Sequence, residues 1–358
     1  MLQFKFKHPV VALFGASTLA LAGVSAADIA KADESGVSFW VPGFFGSLAA
    51  TPQQPGWSLA NIYYHTSVSA GGDVAAAREF QIGKIPLNLS ASLNANVNAT
   101  GDLGIFIPTY VFATPVLDGQ LSLGAVVSYG RVSTSLSGTL SGTLTTPGGS
   151  IPFFRSDSIS DSVWGFGDIL PMASLRWNNG VHNYMTYLTG DIPVGAYDST
   201  RLSNVGIGHG AIDAGGGYTY FNPQTGRELS AVLGFTYNLP NQSTQYQNGV
   251  DMHLDWGMSQ FFNKQQFMAG LVGYVYKEIG CDSGSGDRVG CFQSQVVGIG
   301  PQIGFIFPVG NMQGYLNFKA YKEFAAENRP DGWNAWVTFV ISPAAPSTSA
   351  QPTRMITK

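Results

Sequence analysis

Asp251, His253 and Asp255 occupy every second position of the run VDMHLDW. Two carboxylates and an imidazole are the donors of a transition-metal site or of acid–base chemistry. Which of these is open to them depends on the element that carries them. The residues between and around them, Val250, Met252, Leu254 and Trp256, are all apolar, and strict alternation is the two-residue period of a β-strand. On a strand the three polar side chains share one face, but successive ones stand about 7 Å apart. That is too far for easy shared coordination, so no metal or other cofactor is assigned to them. The remaining histidines beyond the N-terminus, His65, His182 and His209, lie in no G-x-S-x-G elbow, the setting a hydrolytic serine needs on that fold. No catalytic residue is assigned, and the chain reads as a non-enzyme.

Other segments sort their residues in the same way. In GFGDILPMASLRW, Asp168, Leu170, Met172, Ser174 and Arg176 share a face. In QGYLNFKAYKEF, Tyr315, Asn317, Lys319, Tyr321 and Glu323 oppose Gly314, Leu316, Phe318 and Ala320. The opposite faces are apolar, which raises the question of what they touch.

The stretch LNLSASLNANVNAT, from Leu87 to Thr100, sharpens it, because Leu, Ala and Val alternate there with Asn, Ser and Thr without an error. Its 14 residues extend roughly 46 Å, against about 5–6 residues for an ordinary globular strand. A membrane-spanning strand needs about 9–11 residues. Composition agrees: 44% of residues are hydrophobic and 11% charged, where soluble domains carry about 25% charged. No segment after the N-terminus is a continuous apolar run of helical membrane-spanning length. The apolar faces, that of Leu87–Thr100 included, are therefore expected against lipid. A lysine or arginine facing lipid at the midplane costs about 2–4 kcal/mol, so Asp168, Arg176, Asp251, His253, Asp255, Lys319, Tyr321 and Glu323 are expected to line a lumen. Two roles fit them: a salt-bridge network filling the interior, or a path of mixed polarity for a solute.

Export is written at the start. Lys5 and Lys7 precede an apolar run from Val10 to Val24, and Val24-Ser25-Ala26 supplies small residues for cleavage, the layout of a secretory signal peptide. Cleavage is expected after Ala26 or Ala27. Acidic residues (22) outnumber basic ones (18), and losing Lys5 and Lys7 widens the gap, so nucleic acid is not an expected partner. In an oxidising compartment Cys281 and Cys291, either side of DSGSGDRVG, are expected to form a disulfide, contributing about 3 kcal/mol in the chain-entropy model.

Alternating segments run from Trp57–Val68 through Leu87–Thr100, Leu103–Ala113, Leu121–Leu140, Val163–Trp177, Val181–Ile192, Ala211–Phe221 and Glu228–Leu239 to Val250–Phe261, Gln265–Ile279, Phe292–Phe307, Gln313–Phe324 and Trp333–Ser342. Short turns at Asn178–Gly180, Pro223–Arg227, Phe262–Lys264 and Pro308–Met312 alternate with longer loops at Ser141–Ser162, Pro193–Gly210, Pro240–Gly249, Gly280–Cys291 and Ala325–Gly332. That asymmetry is the signature of an all-β, transmembrane antiparallel barrel with periplasmic turns and external loops. The segments come to an odd number, whereas single-chain bacterial barrels have an even one, leaving about 12 or 14 strands. Either VSFWVPGFFGSLAA (Val37–Ala50) is a first strand, or an early segment lies in the lumen as a plug. The expected organisation is thus 1–26 signal peptide, 27–56 plug or first strand, 57–342 barrel and 343–358 a disordered Pro-, Ser- and Thr-rich tail.

SFWVPGFFGSLAATPQQPGWSL, WNNGVHNYMTYLTGDIPVGAYD, NVGIGHGAIDAGGGYTYFNPQTG, TQYQNGVDMHLDWGMSQF, GPQIGFIFPVGNMQGYLNFKAY and NRPDGWNAWVTFVISPAAP together resemble the proteobacterial family associated with the meta-pathway of phenol degradation. The resemblance spans nearly the whole exported chain. It implies an outer-membrane barrel, loosely similar to transporters of long-chain fatty acids and aromatic hydrocarbons, with membrane lipid around it and a small hydrophobic or aromatic solute passing through. It carries no motif-defined site residues and no oligomeric state. Two rivals remain: a structural or adhesive barrel with a closed lumen, which the Cys281–Cys291 loop favours, and a barrel esterase.

Overall fold

The computed structural model describes residues 38–71, 89–146, 149–287, 290–291 and 293–345. The expected signal peptide lies outside the described residues, as do Leu87 and Asn88, Phe292 and most of the expected tail. Twelve antiparallel strands close into a barrel in chain order. They are β1 (Gly56–Gly71), β2 (Leu89–Val111), β3 (Gln120–Thr146), β4 (Gly149–Asn179), β5 (His182–Gly190), β6 (Ala211–Asn222), β7 (Arg227–Asn238), β8 (Asp251–Phe262), β9 (Phe267–Glu278), β10 (Gln295–Val309), β11 (Met312–Glu327) and β12 (Asp331–Pro343). β1 pairs with β12, Leu59 opposite Ile341 and Ser69 opposite Asp331. That pairing leaves the wall without an edge, as a bilayer requires.

The even count arises from a merger. Leu87–Thr100 and Leu103–Ala113 are halves of one strand, because Gly101 and Asp102 stay in register with Thr66 and His65 of β1. The described residues of the expected loop Ser141–Ser162 are also strand: β3 and β4 pair from Gln120–Arg176 to Thr146–Gly149, with one bulge between Val127 and Tyr129. Ser- and Thr-rich polar sequence reads as loop but pairs as readily as any other when its hydrogen bonds go across a ladder. Ala325–Glu327 likewise belong to β11.

β2, β3 and β4, with 23, 27 and 31 residues, outrun the 12-residue strands β6 to β9, whose span of about 40 Å suits a tilted crossing. Two outward aromatic girdles mark the membrane. Trp57, Tyr110, Tyr184 and Phe262 stand near the turns, and Tyr63, Tyr129, Trp164, Tyr237 and Trp333 near the loops, all exposed, with Leu188, Leu233, Leu271 and Ile303 exposed between them.

One expectation is reversed. Over residues 96–100 of that stretch it is the apolar position, Val97, that turns inward. Val97 is 2% exposed and packs with Leu136 and Leu202, while Asn96, Asn98 and Thr100 are exposed. This half of β2 has left the bilayer beyond the Tyr63 girdle. Water wets its outer face, and the interior supplies the apolar contact.

Candidate functional site

The lumen holds a segment of the chain itself. Residues 38–55 carry no strand, and β1 begins at the turn end, Gly56 opposite Val111. From there the segment passes inside the wall, where Ser38, Phe39, Trp40 and Ala50 are buried.

Wall side chains grip this segment mostly by its peptide groups. Asp255 accepts hydrogen bonds from the amides of Gly43 (2.9 Å) and Phe45 (3.0 Å). Opposite, the Lys319 ammonium donates to the carbonyls of Gly43 (2.5 Å), Phe44 (3.3 Å) and Phe45 (3.4 Å). Glu228 accepts from the Leu48 amide (2.9 Å) and the Ser47 hydroxyl (2.7 Å). Thr219 accepts from the Ala50 amide at 3.0 Å, and Gln302 donates to Ser47 Oγ at 2.7 Å. Arg176 reaches the Ala49 carbonyl at 3.4 Å while donating to Ser174 (2.6 Å) and Ser122 (3.1 Å). A buried charge is costly unless hydrogen-bonded, and here peptide dipoles meet much of that need. Gly43 permits the closest approach: its φ is +87°, and a Cβ there would stand 2.9 Å from Tyr321 Cζ.

The expected lumen residues thus divide. Arg176, Asp255, Lys319 and Tyr321 touch the segment's backbone, the last through its hydroxyl to Gly43 O at 3.4 Å. His253 is fully buried and stacks on Trp40, centroids 3.8 Å apart and planes 12° apart. Its Nε2 bonds Asp213 Oδ2 at 2.9 Å, and Thr236 donates to the same oxygen at 2.6 Å. The other three serve the loop end. Asp168 accepts from the amides of Gly195 and Ile207, each at 2.7 Å, pinning the β5–β6 loop. Asp251 accepts from Asn238 at 2.9 Å. Glu323 accepts from Tyr274 (2.8 Å) and the Gly332 amide (2.9 Å). Asp251, His253 and Asp255 therefore share a face yet serve three different partners.

Of the salt-bridge network expected across the lumen, His253–Asp213 is one hydrogen-bonded contact, an ion pair only with the imidazole protonated. Asp255 and Lys319 instead hold opposite poles of the same peptide chain. Glu228, Asp213, Thr219, Gln302 and Tyr187 went unread in the sequence. Alternation along β7 signals Glu228, since Glu228, Ser230, Val232 and Thr236 are buried in turn.

The interior mixes apolar and charged side chains. Ile62, Ile105 and Val126, with Leu170 and Met172 packed nearby, share β1 to β4 with Asp168 and Arg176, and β6 to β8 contribute the buried Asp213, Glu228, Asp251, His253 and Asp255. Phe39, Trp40 and the partly buried Phe44 and Phe45 fill the space with Met185, Tyr187 and Val232, and Ile207 of the β5–β6 loop joins the same cluster from the other end.

At that end Arg201 makes a two-pronged pair with Asp161, 2.6 and 3.1 Å. Asp198 accepts from the Thr200 hydroxyl (2.7 Å) and amide (2.9 Å). These bonds, the hydroxyl's first, hold its carboxyl below the usual carboxylate range. Cys281 and Cys291 are disulfide-bonded. Their loop pairs with β7–β8 through Gln247 and Ser283, each amide donating to the other's carbonyl at 2.9 Å.

Residues 53–339 match the family model described as "Putative MetA-pathway of phenol degradation". The chain belongs to that family. The aromatic cluster Phe39–Phe45 precedes the matched residues. No curated protein matches the chain. Among solved structures, it is similar to the COG4313 outer membrane channel from Pseudomonas putida F1, at 13% identity and TM-score 0.60, covering 84% of this chain and 99% of that one. Weaker likenesses are a Pseudomonas aeruginosa FadL homologue (10% identity, TM-score 0.33, 88% and 97% covered) and the transport unit of the autotransporter AIDA-I from Escherichia coli (9%, 0.39, 84% and 94%). The first shows that this closed barrel is a fold an outer-membrane channel uses.

Proposed function

We propose that the chain is a bacterial outer-membrane channel that admits small hydrophobic or aromatic compounds, with the segment before β1 as its closure. On this reading residues 1–26 are a cleaved leader and the segment that ends where β1 begins, at Gly56, forms the plug. The wall performs no catalysis. One observation carries the proposal: an aromatic peptide segment fills the lumen and is held by backbone hydrogen bonds to Asp255, Lys319 and Glu228. A barrel that served only as scaffold could pack its interior with its own wall. A separate segment, tied at one end to β1 and gripped by exchangeable hydrogen bonds, suits a closure that moves. The family's association with phenol degradation and the cluster of Ile62, Ile105, Val126, Tyr274 and Trp336 inside the barrel favour an aromatic or hydrophobic cargo over a hydrophilic one.

The test is uptake of phenol and p-cresol at low concentration by cells with and without the protein. Loss of the protein is expected to slow uptake, and re-expression of the full chain to restore it. Unchanged uptake overturns the proposal and leaves the disulfide-braced loops of a structural or adhesive barrel as the working part.

A further inference from the structure

Wall side chains engage many of the segment's peptide groups, but not the indole N–H of its most buried ring. Trp40 is 4% exposed and lies parallel on His253, with Tyr187 at 6.0 Å and Phe45 at 5.6 Å. Its indole N–H makes no hydrogen bond. In the same cluster, His253 Nδ1 and Asp213 Oδ1 are buried and make none either. His253 Nε2 and Asp213 Oδ2 are committed to each other, so Asp213 Oδ1 is an acceptor left over, and the ring nitrogen Nδ1 has no partner in any protonation state. A donor and an acceptor thus stand unmet beside an unpartnered ring nitrogen within one buried cluster. Such atoms are costly, and buried polar groups are ordinarily satisfied. The indole fits the socket by its flat face and misfits it by its hydrogen bonding.

The wall is shaped for this socket. A Cβ on Gly234 would fall 2.0 Å from the Tyr187 hydroxyl and 2.5 Å from His253 Cε1, so the absence of a side chain there leaves room for both. Tyr187 Oη lies 3.4 Å from His253 Nε2. The result is an aromatic face with a polar floor, closed by Val232 and Met185.

We infer that Trp40 is a self-ligand, and that its indole occupies a subsite for a single aromatic ring bearing a hydroxyl. One ring is smaller than an indole and can shift on the His253 face. A hydroxyl rotates freely and both donates and accepts, so it can reach an acceptor that the fixed indole N–H misses. Entry of such a ring expels Trp40 and, with it, the start of the segment. The inference rests on the reading of the barrel as a channel for aromatic solutes and names where one is held.

The experiment is calorimetric titration of the full chain in lipid nanodiscs with p-cresol and with toluene, empty nanodiscs subtracted. Trp40→Ala is expected to bind p-cresol about tenfold more tightly than the unaltered chain, and p-cresol about tenfold more tightly than toluene. Adding Tyr187→Phe or His253→Phe to Trp40→Ala is expected to abolish the preference for p-cresol. Folding is checked by heat-modifiable gel mobility, and Trp40→Leu replaces Trp40→Ala if the smaller side chain prevents assembly. The inference is overturned if the folded Trp40 variant gains no affinity for p-cresol, or gains equally for toluene. Protein-dependent uptake with no gain in binding would remove the subsite and leave the channel standing. A hydroxyl-dependent gain with protein-independent uptake would leave the subsite and remove the channel.

Discussion

β2 lies in two solvents. On the turn side of Asp102 its outward residues include Phe106 and Tyr110, both exposed; beyond Asp102 they are Asn96, Asn98 and Thr100, also exposed. Its inward residues do not change: Val97, Ile105 and Val111 are all buried. A single alternation therefore runs through both halves, but polarity reverses on one face only. Outside the bilayer the strand behaves as in a water-soluble sheet, polar out and apolar in. Within it, the outer face must be apolar whatever the inner face is. The polar–apolar alternation of residues 96–100 is thus the mark of the extramembrane part, and the membrane part is the one apolar on both faces.

Arginine substitutions should separate the halves most strongly. Leu233→Arg, between the girdles on β7 and facing out, is expected to lower barrel stability by about 2–4 kcal/mol, measured by reversible urea unfolding into lipid vesicles. Asn98→Arg, equally outward but in water, is expected to change it by less than about 0.5 kcal/mol. Equal costs at the two sites would erase the distinction. The inner face gives a smaller, local effect. Val97→Asn buries an amide against Leu136 and Leu202 and is expected to cost about 1–3 kcal/mol. The loss should appear as faster hydrogen exchange in the outer parts of β2 and β3, with the barrel's own unfolding midpoint unmoved. The smallest effect concerns the loop that seals this half. Asp198 titrates below its unfolded value, so its bonds to Thr200 stabilise the loop above that unfolded value and are lost as pH falls through the lower, folded one. Protection of the Thr200 amide, relative to its intrinsic exchange rate at each pH, should fall on acidification, and Asp198→Asn should remove most of that dependence.

Period two located most strands, and it placed Asp255, Lys319 and Arg176 inside because each alternates with apolar neighbours. It could not show that Gly101-Asp102 continues a ladder, since a Gly-Asp pair in isolation reads as a turn. Nor could it show that the Ser- and Thr-rich residues of 141–162 are paired. Pairing is a property of two strands, and the partner is remote in sequence or unspecified by composition. The role of the lumen charges was hidden for a related reason. Charges of both signs suggest mutual ion pairs, whereas Asp255 and Lys319 are satisfied by the amides and carbonyls of residues 43–45, and peptide groups have no sequence signature.

By itself, the sequence determined that the chain is a barrel with few charges on its outer wall, a buried polar set within and a disulfide between Cys281 and Cys291. These follow from local alternation and from the cost of placing charge in hydrocarbon. Only the tertiary structure decided which face of β2 meets water, that the strands number twelve, and that the lumen is filled by the chain's own Phe39–Phe45 region. Those are matters of height in a membrane, of remote pairing and of one segment entering a space enclosed by all the others. No window of residues contains that information.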